Sequence, residues 1–171
     1  MSSVVEAQPL VELRGLVVSF PVRSGVLQRT TGWVQAVAGI DLTIGRGETL
    51  ALVGESGCGK STTGLAAMGL VPPTAGSVVL EGTDLSAMSP KQARHARRRM
   101  QMVFQDPTAS LNSRMYVGQL VAEPLIVHDI GSPDDRRRRV LELLVDVGLG
   151  EDAIDRFPHQ FSGGQRQRIA I

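Results

Sequence analysis

Lysine is nearly missing from this chain. Lys60 and Lys91 are the only two, against a combined Lys+Arg count of 18. A chain that uses arginine almost everywhere makes an isolated lysine worth inspecting. A single cysteine, Cys58, excludes an internal disulfide and fits a reducing compartment. The three histidines, His95, His128 and His159, are scattered without metal-ligand spacing. Charge of one sign is lacking too: 18 cations face 17 carboxylates, for a net charge of +1. That balance gives no general electrostatic reason to bind nucleic acid or an anionic surface. The longest uncharged run, Ser61 to Leu80, is broken by Pro72, Pro73 and three glycines, which disqualifies it as a membrane span. The first residues carry neither a basic segment nor a long apolar one, so no signal peptide is read.

What is present is an ordinary globular composition, 42% hydrophobic and 20% charged, over 171 residues. It excludes collagen-like and charge-driven disordered chains. There is no internal repeat. Leu10 to Phe20 reads as a strand, Pro21 to Gly32 as a loop, and Val34 to Ile44 as a second strand. After a turn at Gly45–Glu48, Thr49 to Val53 reads as a short apolar strand of the kind buried in parallel sheets. Lys60 to Gly69 is an expected helix stopped by Pro72-Pro73. Ser77 to Leu80 and Gln101 to Phe104 are expected strands, with a helix over Pro90 to Arg99 between them. From Asp106 onward the pattern is mostly helical. Ser132-Pro133-Asp134-Asp135 has the chemistry of a helix start, and Gly148 that of its end. Arg97–Arg99 and Arg136–Arg139 read as solvated helix faces, with Arg138 and Glu142 as i, i+4 neighbours.

Two stretches carry chemistry. Gly54-Glu55-Ser56-Gly57-Cys58-Gly59-Lys60-Ser61 matches G-x-x-x-x-G-K-[ST] without deviation, after an apolar run and before a helix. Glycines let successive N–H groups turn toward phosphate oxygens, and the helix N-terminus adds its dipole. Lys60 would meet the outer phosphates, and Ser61 would ligate Mg²⁺. Cys58 reads as a small loop side chain without a redox role. This loop alone leaves kinases, GTPases and motor ATPases open. The second stretch is Phe161-Ser162-Gly163-Gly164-Gln165. A serine and two glycines at a helix start form a second anion cradle. One nucleotide needs one cradle from its own chain, unless two subunits sandwich it.

This second stretch resembles the signature motif of ABC ATPases, usually LSGGQ, with Phe161 in place of leucine. Val103-Phe104-Gln105-Asp106-Pro107 is similar to the family's Q-loop. The resemblance runs from about Leu10 to Ile171. Its closer style is that of the ATP-binding subunits of di- and oligopeptide importers and their nickel-importing relatives. It implies an α/β P-loop NTPase of the ABC type, with a small antiparallel β subdomain and a helical insert. The implied divisions are a nucleotide-binding core over 1–106, a helical subdomain over 107–165, and the start of a return to the core over 166–171.

The resemblance also implies site roles. ATP and Mg²⁺ would be bound by Gly54 through Thr62, with Lys60 and Gln105 catalytic and Ser61 and Gln105 at the metal. Ser162, Gly163, Gly164 and Gln165 would cover the nucleotide of a second subunit. Phe20 would stack on adenine, with Trp33 as the competitor. The implied partners are a second ABC ATPase subunit, transmembrane permease subunits and, indirectly, a solute-binding protein, with no nucleic acid. The implied place is peripheral, on the cytoplasmic face of the membrane.

The family pattern continues with an apolar strand ending in Asp-Glu and a later histidine, and no such run follows the signature here. The expectation is a fold truncated after the signature motif. As it stands, such a chain would bind ATP weakly, hydrolyse it hardly at all, and leave an apolar edge unpaired. Two other readings follow from the same residues: a non-catalytic ABC fragment, and a non-transport ABC ATPase of DNA repair or translation.

Overall fold

The computed structural model describes residues 8–25, 28–104, 106 and 110–171. The chain divides into two compact units, Met1–Met100 and Gln101–Ile171.

The first unit is built on a four-stranded sheet: β1 (Val11–Ser24), β2 (Arg29–Ile44), β3 (Ala75–Leu80) and β4 (Thr83–Asp84), in the order β2-β1-β3-β4. Every pairing among the described strands is antiparallel. In β1 the buried residues are Leu13, Leu16 and Val18. The three-residue step from Leu13 to Leu16 marks a bulge, where Asp41 Oδ1 accepts from the Gly15 N–H at 2.7 Å. That extra residue keeps Leu16 on the core face despite the change of parity. Helix α1 (Lys60–Ala67) covers this face through Ala66. Leu16 and Val18 have almost no exposed area, and each such side chain contributes about 1.5–3 kcal/mol on burial. Helix α2 (Pro90–Ala96) starts with a capping box between Ser89 and Gln92.

The strands run further than expected. β1 and β2 pair through Pro21↔Trp33 to Ser24↔Arg29, so most of the expected loop over 21–32 is a two-stranded ribbon. β3 accompanies β1 only as far as Val17↔Ala75, and a proline is tolerated in a strand that lacks a second neighbour. Thr49–Val53 and Gln101–Phe104 form no strand. Leu50, Leu52, Val53, Val103 and Phe104 are exposed instead. An apolar run becomes a buried parallel strand only when neighbours accept its hydrogen bonds, and no described strand pairs with either segment.

The second unit is helical: α3 (Val117–Val127), α4 (Pro133–Asp146) and α5 (Gly163–Ala170), with 3₁₀ turns at Glu151–Asp155 and Pro158–Gln160. Val117, Val140, Leu144, Ile154, Phe161 and Ile169 are among the residues of its core. α4 begins as expected. Ser132 Oγ accepts from the Asp135 N–H at 3.2 Å, Asp135 accepts in return from the Ser132 N–H at 3.1 Å, and Pro133 opens the helix. At its other end Arg168 Nη1 donates to the Val147 carbonyl at 3.1 Å. The arginine run is tied down locally: Arg136 to Asp129, Arg138 to Asp135, and Arg139 to Glu142 at 3.1 Å. The expected Arg138–Glu142 pair is replaced by these i, i+3 pairs.

Candidate functional site

The residues from Gly54 to Gly59 run straight into α1. Gly59 is the N-cap, with φ +95°, and no side chain caps the helix. The first N–H groups of α1 are thus left to an external acceptor. A Cβ on Gly59 would stand 2.2 Å from the Ala36 carbonyl oxygen of β2. Only glycine fits there, on conformational and steric grounds together. Below it, buried Thr63 returns its Oγ1 hydrogen bond to the Gly59 carbonyl at 3.0 Å. Sequence reading passed over Thr63; its place four residues after Gly59 on the helix is the signal.

Lys60 Nζ folds over the loop and donates to the carbonyls of Gly54 at 2.7 Å and Glu55 at 2.5 Å. The side chain therefore turns back onto the backbone of its own loop. Cys58 Sγ stands 3.5 Å from the same Nζ and is exposed. Glu55, Ser56, Gly57, Cys58 and Ser61 are exposed as well, and Thr62 is half-buried. Uncapped N–H groups at the start of α1 and the Lys60 ammonium thus lie at one junction.

The second cradle opens α5. Ser162 is the N-cap: its Oγ accepts from the Gln165 N–H at 3.3 Å, and Gln165 Oε1 accepts from the Ser162 N–H at 2.9 Å. The pair uses up two of the four orphan donors. Gly163 and Gly164 keep theirs, with open space where a Cβ would stand. The Ser162 hydroxyl proton remains available, since Oγ acts as an acceptor in the box. Arg166 Nη1 donates to the Phe161 carbonyl at 3.0 Å, fixing the peptide just before Ser162. Its Nε is buried without a partner. Phe161 itself is 6% exposed and belongs to the core of its unit.

Phe20 and Trp33 are separated by register. Phe20 pairs with Val34, two residues beyond the buried pair Val18↔Val37. Alternation puts Phe20 on that same sheet face. This is the face where Gly59 approaches Val37, its Cβ position lying 3.7 Å from Val37 Cγ2. Trp33, paired with Pro21, takes the opposite face. Gln105 lies outside the described residues. Among the described residues no group of three or more His, Cys, Asp or Glu is arranged to hold a metal ion. No described helix is long and apolar enough to cross a membrane.

A family model described as ABC transporter matches residues 37–171, both cradles included. The chain belongs to the ABC transporter family. The glutathione import ATP-binding protein GsiA of Salmonella typhimurium is 47% identical over 169 residues, 99% of this chain and 27% of that protein. The oligopeptide transport ATP-binding protein AppF of Bacillus subtilis is 46% identical over 165 residues, 96% of this chain and 50% of that one. The chain thus spans between about a quarter and a half of these curated relatives. A solved dimer of the ATP-binding cassette MJ0796, in a post-hydrolysis state with ADP and Pi, superposes with a TM-score of 0.73 at 30% identity. That likeness covers 94% of this chain and 66% of the cassette. ABC ATPases bind and hydrolyse ATP, and the fold of this chain is that of their cassettes.

Proposed function

We propose that this chain supplies the ATP-binding portion of a subunit that powers peptide-type import across a membrane. The observation that carries ATP binding is the Gly59–Lys60 junction: a left-handed N-cap without a side-chain cap, beside a lysine folded over the loop. The names of the relatives favour a glutathione-like or oligopeptide cargo.

Lys60 would leave the Gly54 and Glu55 carbonyls for the outer phosphates, exchanging neutral acceptors for charged ones. Phe20 would stack on adenine, since it shares the face of the loop. Ser61, exposed at the first turn of α1, and Gln105 fit an oxygen-ligated divalent cation. Mg²⁺ held there would neutralise charge on the phosphates. The Ser162 hydroxyl and the Gly163 and Gly164 N–H groups would close over the nucleotide of a second ATPase subunit. Gln165 would support them through its capping box.

The further partners in this reading are transmembrane permease subunits, approached through Gln105 and the helical subdomain that we place at 107–165, and a solute-binding protein beyond them. Its place is peripheral, on the cytoplasmic face. Arg97, Arg99, Arg136, Arg138 and Arg139 are each held by an internal partner, which supports a reading without nucleic acid.

The test is titration with a fluorescent ATP analogue. Lys60→Ala should weaken binding at least tenfold, about the worth of one charge-assisted contact, with the circular dichroism unchanged. In a complete importer the same change should abolish ATP-driven uptake. Undiminished uptake would overturn the proposal.

A further inference from the structure

We propose that the ribbon formed by the far ends of β1 and β2 is a docking arm for an anionic phospholipid surface, with Trp33 and Arg23 as its contact face. The proposal goes beyond the reading above, and its test requires no nucleotide.

Four observations carry it. First, beyond Val17↔Ala75 the ribbon has no third strand among the described residues, and Pro21–Ser24 and Trp33–Gln35 are exposed. Second, Trp33 is 66% exposed, an unusual state for the single tryptophan of a chain with 4% aromatics. An indole with an apolar body and one N–H donor suits the boundary between headgroups and acyl chains better than open water. Third, charge is lopsided here. No carboxylate occurs from Gly15 to Ile40, while Arg23 and Arg29 are both present. The whole chain is nearly neutral, so this excess is local. Both arginines are exposed, and neither has an ion pair among the described residues. Arg99, Arg136, Arg138 and Arg139, by contrast, are spent on Glu81, Asp129, Asp135 and Glu142. Fourth, register puts the aromatic and a cation together. Pro21↔Trp33 shares a face with Arg23↔Thr30, two residues along β1. Phe20 and Val34 point the other way, so the arm would serve the membrane without disturbing the nucleotide side.

A bilayer fits this face better than a protein partner. A narrow ribbon with one aromatic cannot supply the roughly 800 Å² per partner of a standard protein interface. One indole with a guanidinium on the same face, Arg23, combines an interfacial anchor with headgroup attraction. Such a contact is weak alone and gains its effect from a subunit already held near the membrane.

Because Trp33 is the only tryptophan, its emission reports on the arm alone. The purified chain is titrated with vesicles of equal parts phosphatidylglycerol and phosphatidylcholine, and with pure phosphatidylcholine. The expected result is a blue shift with the anionic vesicles only, half-complete at roughly 1 mM lipid, weaker than a single acyl anchor. The shift should fade as salt is raised. Arg23→Gln should cut the partition constant by about fivefold, from one lost headgroup attraction, and Arg29→Gln, on the other face, should change it less. These positions are exposed, and unchanged circular dichroism would show that each variant is folded. As a second measurement, Trp33→Phe should lower co-sedimentation with the anionic vesicles. An unchanged emission spectrum overturns the proposal, whether or not the protein sediments with vesicles, and leaves this face to a protein partner. An equal shift with neutral vesicles overturns it as well.

Discussion

The carbonyl oxygen of Ala36 faces Gly59 so closely that a Cβ on the glycine would stand 2.2 Å away. A residue of the second strand thereby dictates the composition of the phosphate loop. Gly59→Ala should fail twice, through a φ of +95° and through a clash with backbone that has no rotamer to yield. The strain alone costs about 1–2 kcal/mol. A lower melting temperature and at least a tenfold loss of nucleotide-analogue affinity are expected. A variant that melts and binds like the parent would show that β2 does not brace the loop.

Gln165 is bound to its own helix start through the Ser162 N–H. Gln165→Ala should cost about 1 kcal/mol, the usual worth of a helix cap. Gln165→Glu keeps an acceptor for the box and should recover most of that loss. Thermal melts of the three proteins decide it: a glutamate variant no more stable than the alanine variant would separate Gln165 from capping.

Asp135 has its carboxyl held below the ordinary 3.8, first by the Ser132 hydroxyl and the Ser132 N–H, then by Arg138. A depressed folded-state pKa favours the folded protein at pH values above the ordinary one. That contribution is lost as pH falls through the lowered value. Urea midpoints of the parent should therefore decline below about pH 4 more steeply than those of Asp135→Asn. Parallel declines would place the acid sensitivity elsewhere.

Gly118 makes another close approach, in the helical unit. A Cβ there would lie 2.3 Å from Ile154 Cγ1 and 2.9 Å from its carbonyl oxygen. Gly118→Ala should destabilise the helical unit by about 1–3 kcal/mol, as overpacking does. Adding Ile154→Ala should cost less than the sum of the two changes, because alanine lacks the Cγ1 that the new methyl would meet. Strict additivity in urea unfolding would contradict this contact.

Both cradles were legible because their geometry is local. Gly59-Lys60 and Ser162-Gly163-Gly164 carry their conformation in a few adjacent residues, and the order of the two motifs pointed to one family. The capping of α4 by Ser132 and Pro133 was legible for the same reason. The apolar run Thr49–Val53 was not. Its composition says that it favours burial, but whether it is buried depends on strands supplied from elsewhere. The ribbon through Pro21 was hidden as well. Bulges at Val18/Ser19 and Val22/Arg23 break the two-residue alternation that a sequence reader looks for. The partners of Arg138 and Arg139 also eluded sequence spacing. Asp135 is already fixed by Ser132 and waits three residues back, so Arg138 turns to it and Glu142 is left to Arg139.

Phe161 stands at the head of the signature and inside the core of its unit at once, with its carbonyl held by Arg166. The donors that follow it inherit their stiffness from packing rather than from the loop. Evolution and engineering therefore meet a shared constraint here. A substitution at this position is a folding change first, because its side chain belongs to the core.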